Sequence, residues 1–260
     1  MPEGVEVELY RRSAEQVVGR VIDGVDAPDA WFCKGGTSPD ELRAVLPGRT
    51  ITGARRRGKL LLLDLDDGHV LGLRFGMTGR FVVDDQAAIE RLEYSSARNE
   101  PTWDRFGLRF GNGGSLVIRD PRRLGGVVLD PVEESLGPDA FTIQPRQFRD
   151  RVLVGEVPVK ARLLDQARIA GVGNLIADET LWRSRIDPAR PAGSLDQTEA
   201  TRLLRTLRTV LSAFLADGGS HTGRLHLSRV RGGTCPRCGT PLERRQVAGR
   251  TTYSCPAEQR

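Results

Sequence analysis

Two groups of residues in this sequence are of types and spacings that can do chemistry. The first is the amino-terminal run Met1-Pro2-Glu3. A small residue after the initiator Met permits Met removal, so the sequence predicts a free secondary amine on Pro2 beside the Glu3 carboxyl. Such an amine attacks an aldehydic carbon and gives an iminium without a further proton loss, and the adjacent acid can move protons for it. The partial positive charge of a helix start helps hold the amine deprotonated and favours a nearby phosphate. Pro followed by an acid is also an ordinary helix start with no chemistry attached. The second group is Cys235-Pro236-Arg237-Cys238 with Cys255 further on. A C-x2-C knuckle favours zinc over a disulfide in a chain expected inside the cell. A complete ribbon would carry a fourth Cys at position 258, where this chain has Glu258. The choices left open are a zinc site of three thiolates completed by Glu258, a water or one of His221 and His226, and a zinc-free β-hairpin of the same shape. Cys33 stands alone and reads as a small buried hydrophobe.

Elements of two kinds must position these groups. Residues 3–18 carry apolar positions at helical spacing, ending at Gly19 as a natural stop. From about 50 to 130 the pattern becomes short β-rich runs at Leu60–Leu65, Val70–Phe75, Arg80–Val83, Phe106–Phe110, Ser115–Ile118 and Val127–Leu129, separated by turn signals. Several short strands at this spacing predict a sandwich or barrel. A Pro-bearing stretch from Leu136 to Pro145 reads as a linker, and helical periodicity follows over 146–153, 159–166, 174–183 and 197–216. The fold class is thus α+β, with a β domain, a hinge, an α domain and a small Cys-bearing terminus.

Composition narrows the function. The 260 residues are 38% apolar and 28% charged, which excludes a collagen, a coiled coil and a wholly disordered chain. No apolar run approaches the roughly 20 residues of a membrane span, and no signal-peptide core is present; the expectation is a soluble cytoplasmic protein without membrane partners. Residues 201–260 hold 11 Arg against Asp217, Glu243 and Glu258, whereas residues 1–200 hold 28 basic against 31 acidic side chains. A basic quarter on a near-neutral body fits a polyanionic partner such as nucleic acid, or a solvated Arg-rich surface. Only Lys34, Lys59 and Lys160 are lysines, so basicity rests almost wholly on Arg.

Six blocks occur in one order: Met1-Pro2-Glu3-Gly4-Val5-Glu6, Arg57-Gly58-Lys59, Gly76-Met77-Thr78-Gly79-Arg80, Asp120-Pro121-Arg122-Arg123-Leu124-Gly125, Gly171-Val172-Gly173-Asn174 with Ala177-Asp178-Glu179, and the Cys knuckle. That order resembles the formamidopyrimidine-DNA glycosylase / endonuclease VIII family of base-excision repair enzymes, over essentially the whole chain. The resemblance implies an N-terminal β-sandwich over 1–135, a hinge over 136–148, a helix–two-turn–helix DNA-binding domain over 149–232 and a zinc-ribbon-like hairpin over 233–260. It implies a monomeric bifunctional glycosylase and abasic-site lyase acting on damaged double-stranded DNA by a Schiff base and β,δ-elimination. By the same resemblance Pro2 is the nucleophile, Glu3 protonates the deoxyribose ring oxygen, Glu6 helps orient the site and Lys59 contacts the phosphate at the lesion. Met77, Arg122 and Leu124 match residues that fill the gap left by an extruded nucleotide. Lys160, Asn174 and Arg250 match phosphate contacts, and Cys235, Cys238, Cys255 and Glu258 the structural zinc site.

Departures from the family pattern point to a divergent branch. Leu124 stands where the 8-oxoguanine enzymes carry Phe, Arg74-Phe75 replaces a His-Leu pair, and the loop after Asp217 is shortened, with Arg224 to Ser228 following at once. Oxidised purines, oxidised pyrimidines and bulkier adducts are all compatible with such a pocket. The competing function is a non-catalytic binder of damaged or distorted DNA on the same fold, for which Pro2, Glu3 and Lys59 together have no obvious use.

Overall fold

The computed structural model describes residues 2–89, 92, 98 and 100–260; Met1, and with it the expected removal of that residue, lies outside them. The chain forms two compact units, one of Glu6–Glu133 with Pro2, the other of Glu134–Arg260 with Glu3–Val5.

Helix α1 (Gly4–Ala14) belongs to the first unit from Glu6 onward; it passes into a 3-10 turn over Glu15–Val17 and stops at Gly19 in the left-handed region. Strand β1 (Ile22–Asp26), helix α2 (Pro39–Val45) and strands β2 (Ile51–Arg57), β3 (Leu60–Leu65), β4 (Val70–Arg74), β5 (Arg80–Val83), β6 (Gln86–Ala87), β7 (Asp104–Phe110), β8 (Ser115–Arg119) and β9 (Gly126–Leu129) follow. They make two antiparallel sheets, ordered β1-β7-β8-β5-β6 and β2-β3-β4-β9. Alternate residues of both contribute to one core: Phe106, Leu108 and Phe110 from the first sheet, Leu61, Leu63 and Leu65 from the second. Tyr10 and Val7 of α1 pack into the same core.

Four elements here were not expected from the sequence: α2, β1, β2 and the two-residue β6. α2 is short, and its signal is a capping box, Ser38 with Glu41, around Pro39 at the first turn. β1 is only five residues long, and a bulge between Ile22 and Gly24 breaks its alternation. β2 ends in Arg55-Arg56-Arg57, and acids stand opposite this run. Arg55 Nε lies 2.8 Å from Asp64 and its Nη2 2.7 Å from Glu133, while Arg56 Nε lies 3.0 Å from Glu8 of α1.

The second unit contains α3 (Pro145–Val152), α4 (Val159–Leu164), α5 (Asn174–Ser184), α6 (Gln197–Ala216) and the hairpin β10 (Glu243–Val247) with β11 (Arg250–Ser254). α3 starts at Pro145, inside the stretch expected to be hinge, because Pro suits the first helical turn and Gln144 with Gln147 form a capping box. The α6 helix begins at its own capping box, Asp196 with Glu199, and buries Leu203, Leu207, Val210 and Phe214 against Ile176 and Leu181 of α5. Among the described residues no helix is long and apolar enough to cross a membrane.

Candidate active site

In the second unit the segment Glu3–Val5 is fastened to the start of α5. Gly4 N donates to Gly171 O at 2.8 Å. The Glu3 side chain is fully buried, and its two carboxylate oxygens accept from Leu175 N at 2.8 Å and Ile176 N at 3.1 Å. These are two of the four donors a helix start leaves without intrahelical partners, so an anion belongs there. The close approach needs glycine: a Cβ on Gly173 would lie 2.2 Å from Glu3 Cδ. The structure gives these two amides to the chain's own acid. Pro2 is buried immediately before Glu3.

Asn174, the first residue of α5, is tied to the terminal hairpin: its Nδ2 donates to Thr251 O at 3.2 Å, while its buried Oδ1 has no hydrogen-bond partner. Lys160 of α4 is also here. It is fully buried, with Nζ 2.6 Å from Asp178, 2.7 Å from Thr252 Oγ1 and 3.3 Å from Thr251 O. An ammonium has three donors, and all three are committed. Asp178 also faces Arg229 Nη2 at 3.0 Å. Burial pushes the Lys160 ammonium down and the Asp178 carboxyl up from their ordinary values. Lys160 therefore braces Thr251 and Thr252 beside Asn174. Arg250 starts β11, after the tight turn Ala248-Gly249, and is exposed there.

Asp178 and Glu179 lie in the Ala177-Asp178-Glu179 block, where sequence alone gives neither a role. The buried Glu179 carboxylate accepts from Arg224 N at 3.2 Å and Leu225 N at 2.9 Å and pairs with Arg183 at 2.6 Å. It thereby pins the short segment after α6, which runs through 3-10 turns at Ser220–Thr222 and His226–Ser228.

The sulfurs of Cys235, Cys238 and Cys255 lie within 4.8 Å of one another, a cluster suited to a metal ion. Cys238 Sγ and Cys255 Sγ are 3.5 Å apart, near the edge of about 3.8 Å that a tetrahedron with Zn–S bonds of about 2.3 Å requires. Trp182 Nε1 donates to Cys235 Sγ at 3.3 Å. Burial opposes ionisation of that thiol, but this bond and the backbone amides of Arg237 and Cys238 outweigh it, holding Cys235 down at about 7. Burial together with its sulfur neighbour Cys238 pushes Cys255 up to about 11. Glu258 does not join the cluster. Its carboxylate lies 2.7 Å from Arg237 Nη1 and 3.3 Å from Arg185 Nε, two guanidinium groups that draw it away from the sulfurs. The donor set fits three corners of a tetrahedral zinc site, and Glu258 is not the fourth.

In the first unit, Gly58 and Lys59 form the two-residue tip of the β2–β3 hairpin, with Arg57 paired to Leu60 and Gly58 at φ 60°. Arg56 steadies the tip by donating to Gly58 O at 2.9 Å while holding Glu8. Lys59 is half-buried in this turn, ahead of the strand as the sequence indicated. Glu6 is buried in α1, and Tyr10, one turn on, donates from its hydroxyl to Gly79 O at 3.0 Å.

Gly79 closes the loop that carries the half-buried Met77. Arg122 and Leu124 stand exposed on the loop between β8 and β9. These two loops are joined through Asp120, a residue to which the sequence analysis assigned no part. Its fully buried carboxylate accepts from Arg122 N at 3.2 Å, from Leu124 N and Gly125 N at 2.8 Å each, and from Thr78 Oγ1. The loops also touch directly: Gly76 has φ 54°, and a Cβ on it would lie 2.4 Å from the Leu124 carbonyl carbon. An acid opening an Asp-Pro turn two positions before an exposed wedge is the signal that could have found Asp120.

Comparison with known proteins accounts for both units. The chain matches the family models for the formamidopyrimidine-DNA glycosylase N-terminal domain over residues 1–127, the H2TH domain of the same enzymes over 135–224, and the zinc finger found in FPG and IleRS over 232–257. It is 35% identical to a formamidopyrimidine-DNA glycosylase of Chloroflexus aurantiacus, covering 100% of this chain and 98% of that one. A relative of the same description from Nocardioides is 35% identical, with 100% and 94% covered. Among solved structures, the Lactococcus lactis Fpg bound to DNA containing an abasic site superimposes with a TM-score of 0.82 at 27% identity, covering 99% of each chain. The same protein bound to DNA containing an oxidized pyrimidine gives 0.82 at 28% identity, again covering 99% of each. With three consecutive family models matched and relatives aligned along its full length, the chain belongs to the formamidopyrimidine-DNA glycosylase family.

Proposed function

We propose that this protein is a bifunctional DNA glycosylase and abasic-site lyase that excises a damaged base from double-stranded DNA. The amine of Pro2, freed by loss of Met1, attacks C1′ of the damaged nucleotide, and the base leaves with the bonding pair of the N-glycosidic bond. The Pro2 nitrogen gives up its remaining N–H proton, which neutralises the departing base, and its lone pair then forms the iminium as the C1′–O4′ bond opens and Glu3 delivers a proton to O4′. Loss of a proton from C2′ expels the 3′ phosphate, and a second elimination expels the 5′ phosphate. In this reading Lys59, at the tip of its hairpin, meets a phosphate, as do Asn174 and Arg250. Met77, Arg122 and Leu124 enter the stack vacated by the extruded nucleotide. Cys235, Cys238 and Cys255 hold a structural zinc ion, which when bound fixes the knuckle below the β10–β11 hairpin.

One observation carries this reading: the Glu3 carboxylate is fixed by two backbone N–H groups at the start of α5, in a space that only glycine at 173 leaves open. A binder would have no need to orient a carboxyl next to the terminal amine. The test is borohydride trapping on a duplex with one abasic site, using protein whose Met1 has been removed. A covalent adduct that Pro2→Gly abolishes is the expected result; good binding without any adduct would overturn the lyase activity.

A further inference from the structure

Trp31 is 65% exposed, an unusual position for the largest apolar side chain. It is rigidly mounted. Its backbone N–H donates to Asp29 Oδ1 at 3.1 Å, starting the 3-10 turn Ala30–Phe32. Phe32, its neighbour, is fully buried in the core. Lys34 Nζ sits 4.3 Å from the indole centroid and donates to Trp31 O, so a cation covers one face of the ring. Lys34 N also donates to Val127 O at 2.8 Å, which fixes the turn against β9.

The same turn is clamped to the wedge loop. Asp29 receives Arg123 through two bonds of 2.6 Å each, from Nε and Nη2. Arg123 lies between Arg122 and Leu124 and holds φ 55°, a strained value for a side-chain-bearing residue that the paired carboxylate maintains. The exposed indole, Lys34 and the Arg122–Leu124 loop thus form one continuous, cationic, partly apolar margin of the first unit.

We propose that Trp31 and Lys34 are a second DNA contact beside the wedge loop: the open face of the indole stacks on an unstacked base of the duplex, and Lys34 meets an adjacent phosphate. This rests on the proposed action on damaged duplex DNA. Aromatic side chains stack on bases of any sequence, and a cation next to the ring adds the phosphate that accompanies every base. A duplex opened by a wedge supplies bases that have lost a stacking neighbour.

The test uses the full-length protein and a duplex bearing a stable abasic-site analogue, with binding followed by anisotropy over a range of salt and by tryptophan emission. Trp31→Ala is expected to weaken binding about tenfold, while Trp31→Phe, which keeps a stacking ring, retains most of the affinity. Lys34→Ala is expected to lower the salt slope by about one. Emission of the wild type should be quenched on binding, and that quenching should disappear in Trp31→Phe. Unchanged unfolding temperatures, expected for so exposed a residue, exclude misfolding as the cause. Wild-type affinity and salt slope in Trp31→Ala and Lys34→Ala would overturn the inference. So would a change in self-association with DNA binding unaltered, which would make the indole a contact between copies of this chain. Trapping of the wild type by borohydride separates the two failures. An adduct with unaffected variants sinks only the second contact, whereas no binding and no adduct in the wild type sinks the proposed function with it.

Discussion

The hydroxyl of Thr78 donates to the carboxylate of Asp120, and this one bond ties the loop carrying Met77 to the loop carrying Arg122 and Leu124. Each loop taken alone is short and rich in turn residues. A wedge for DNA must be stiffer than the base stack that it enters, or it would yield instead of the stack. The buried carboxylate supplies that stiffness. Its two oxygens collect three backbone N–H groups and one hydroxyl, close to the full complement that a carboxylate accepts.

Removing that acceptor should therefore cost both stability and catalysis. Asp120→Ala leaves several buried donors without partners and is expected to destabilise the protein by about 3 kcal/mol, whereas Thr78→Val, which leaves the backbone bonds intact, costs about 1 kcal/mol. Denaturant unfolding of both variants and of the double variant measures the coupling. A fully additive cycle would show that the two loops are not joined through this bond.

The sequence disclosed the chemistry-bearing residues better than their supports. Leu60–Leu65 and Arg80–Val83 were legible to the residue, because runs of Leu, Val and Phe between turn signals have few alternatives. The Arg55–Arg57 end of β2 was not, since its acidic partners Asp64, Glu133 and Glu8 are distant in sequence. The same holds at the site. Pro2 and Glu3 announce themselves by type, but which groups receive Glu3 is a matter of contacts across some 170 positions. The partners of Lys160 are hidden for the same reason: nothing local reveals that Asp178 and Thr252 hold it.

Gly173 tests the seat of Glu3 directly. In Gly173→Ala the new methyl overlaps the Glu3 carboxylate, which must move by an ångström or more. A displacement of about 1 Å in a reacting group costs on the order of 100-fold in rate. Single-turnover base excision and borohydride trapping should fall together by that factor, with affinity for abasic duplex changed far less. Equal loss of affinity and rate would mean that the substitution had disturbed the DNA-binding surface instead.

The three-cysteine cluster predicts one bound zinc per chain, lost on substitution of any one of Cys235, Cys238 and Cys255 but retained in Glu258→Gln. Elemental analysis of the purified variants decides this. A strong chelator should lower the unfolding temperature of the second unit, because the ion would no longer hold the knuckle around Trp182. Zinc loss in Glu258→Gln would return the carboxylate to the ligand set.

Asp29 offers a pH signature. Arg123 bonds to it and holds its carboxyl below the usual carboxylate range, against the opposing effect of burial. A depressed carboxyl stabilises the fold above its unfolded value, near 3.9, and that contribution is lost as pH falls through the folded value. Unfolding measured from about pH 5 downward should show a smaller acid loss in Asp29→Asn than in the wild type. Identical acid limbs would show that the pair contributes nothing to stability.

Lys160 and Arg250 separate a brace from a contact, although both are cations of the second unit. Lys160→Met leaves the buried Asp178 with Arg229 as its remaining ion-pair partner, a loss of the kind that costs about 3–5 kcal/mol. Because its three donors are already committed, it should not alter the salt dependence of DNA binding among molecules that remain folded. Arg250→Ala should behave in the opposite way. It stands exposed at a hairpin turn, so stability should change by less than about 0.5 kcal/mol, while the slope of log affinity against log salt falls by about one. Unfolding curves and salt titrations on both variants suffice. A reduced slope in Lys160→Met at full stability would restore that lysine to the phosphate-binding set and mean that its ion pair opens when DNA arrives.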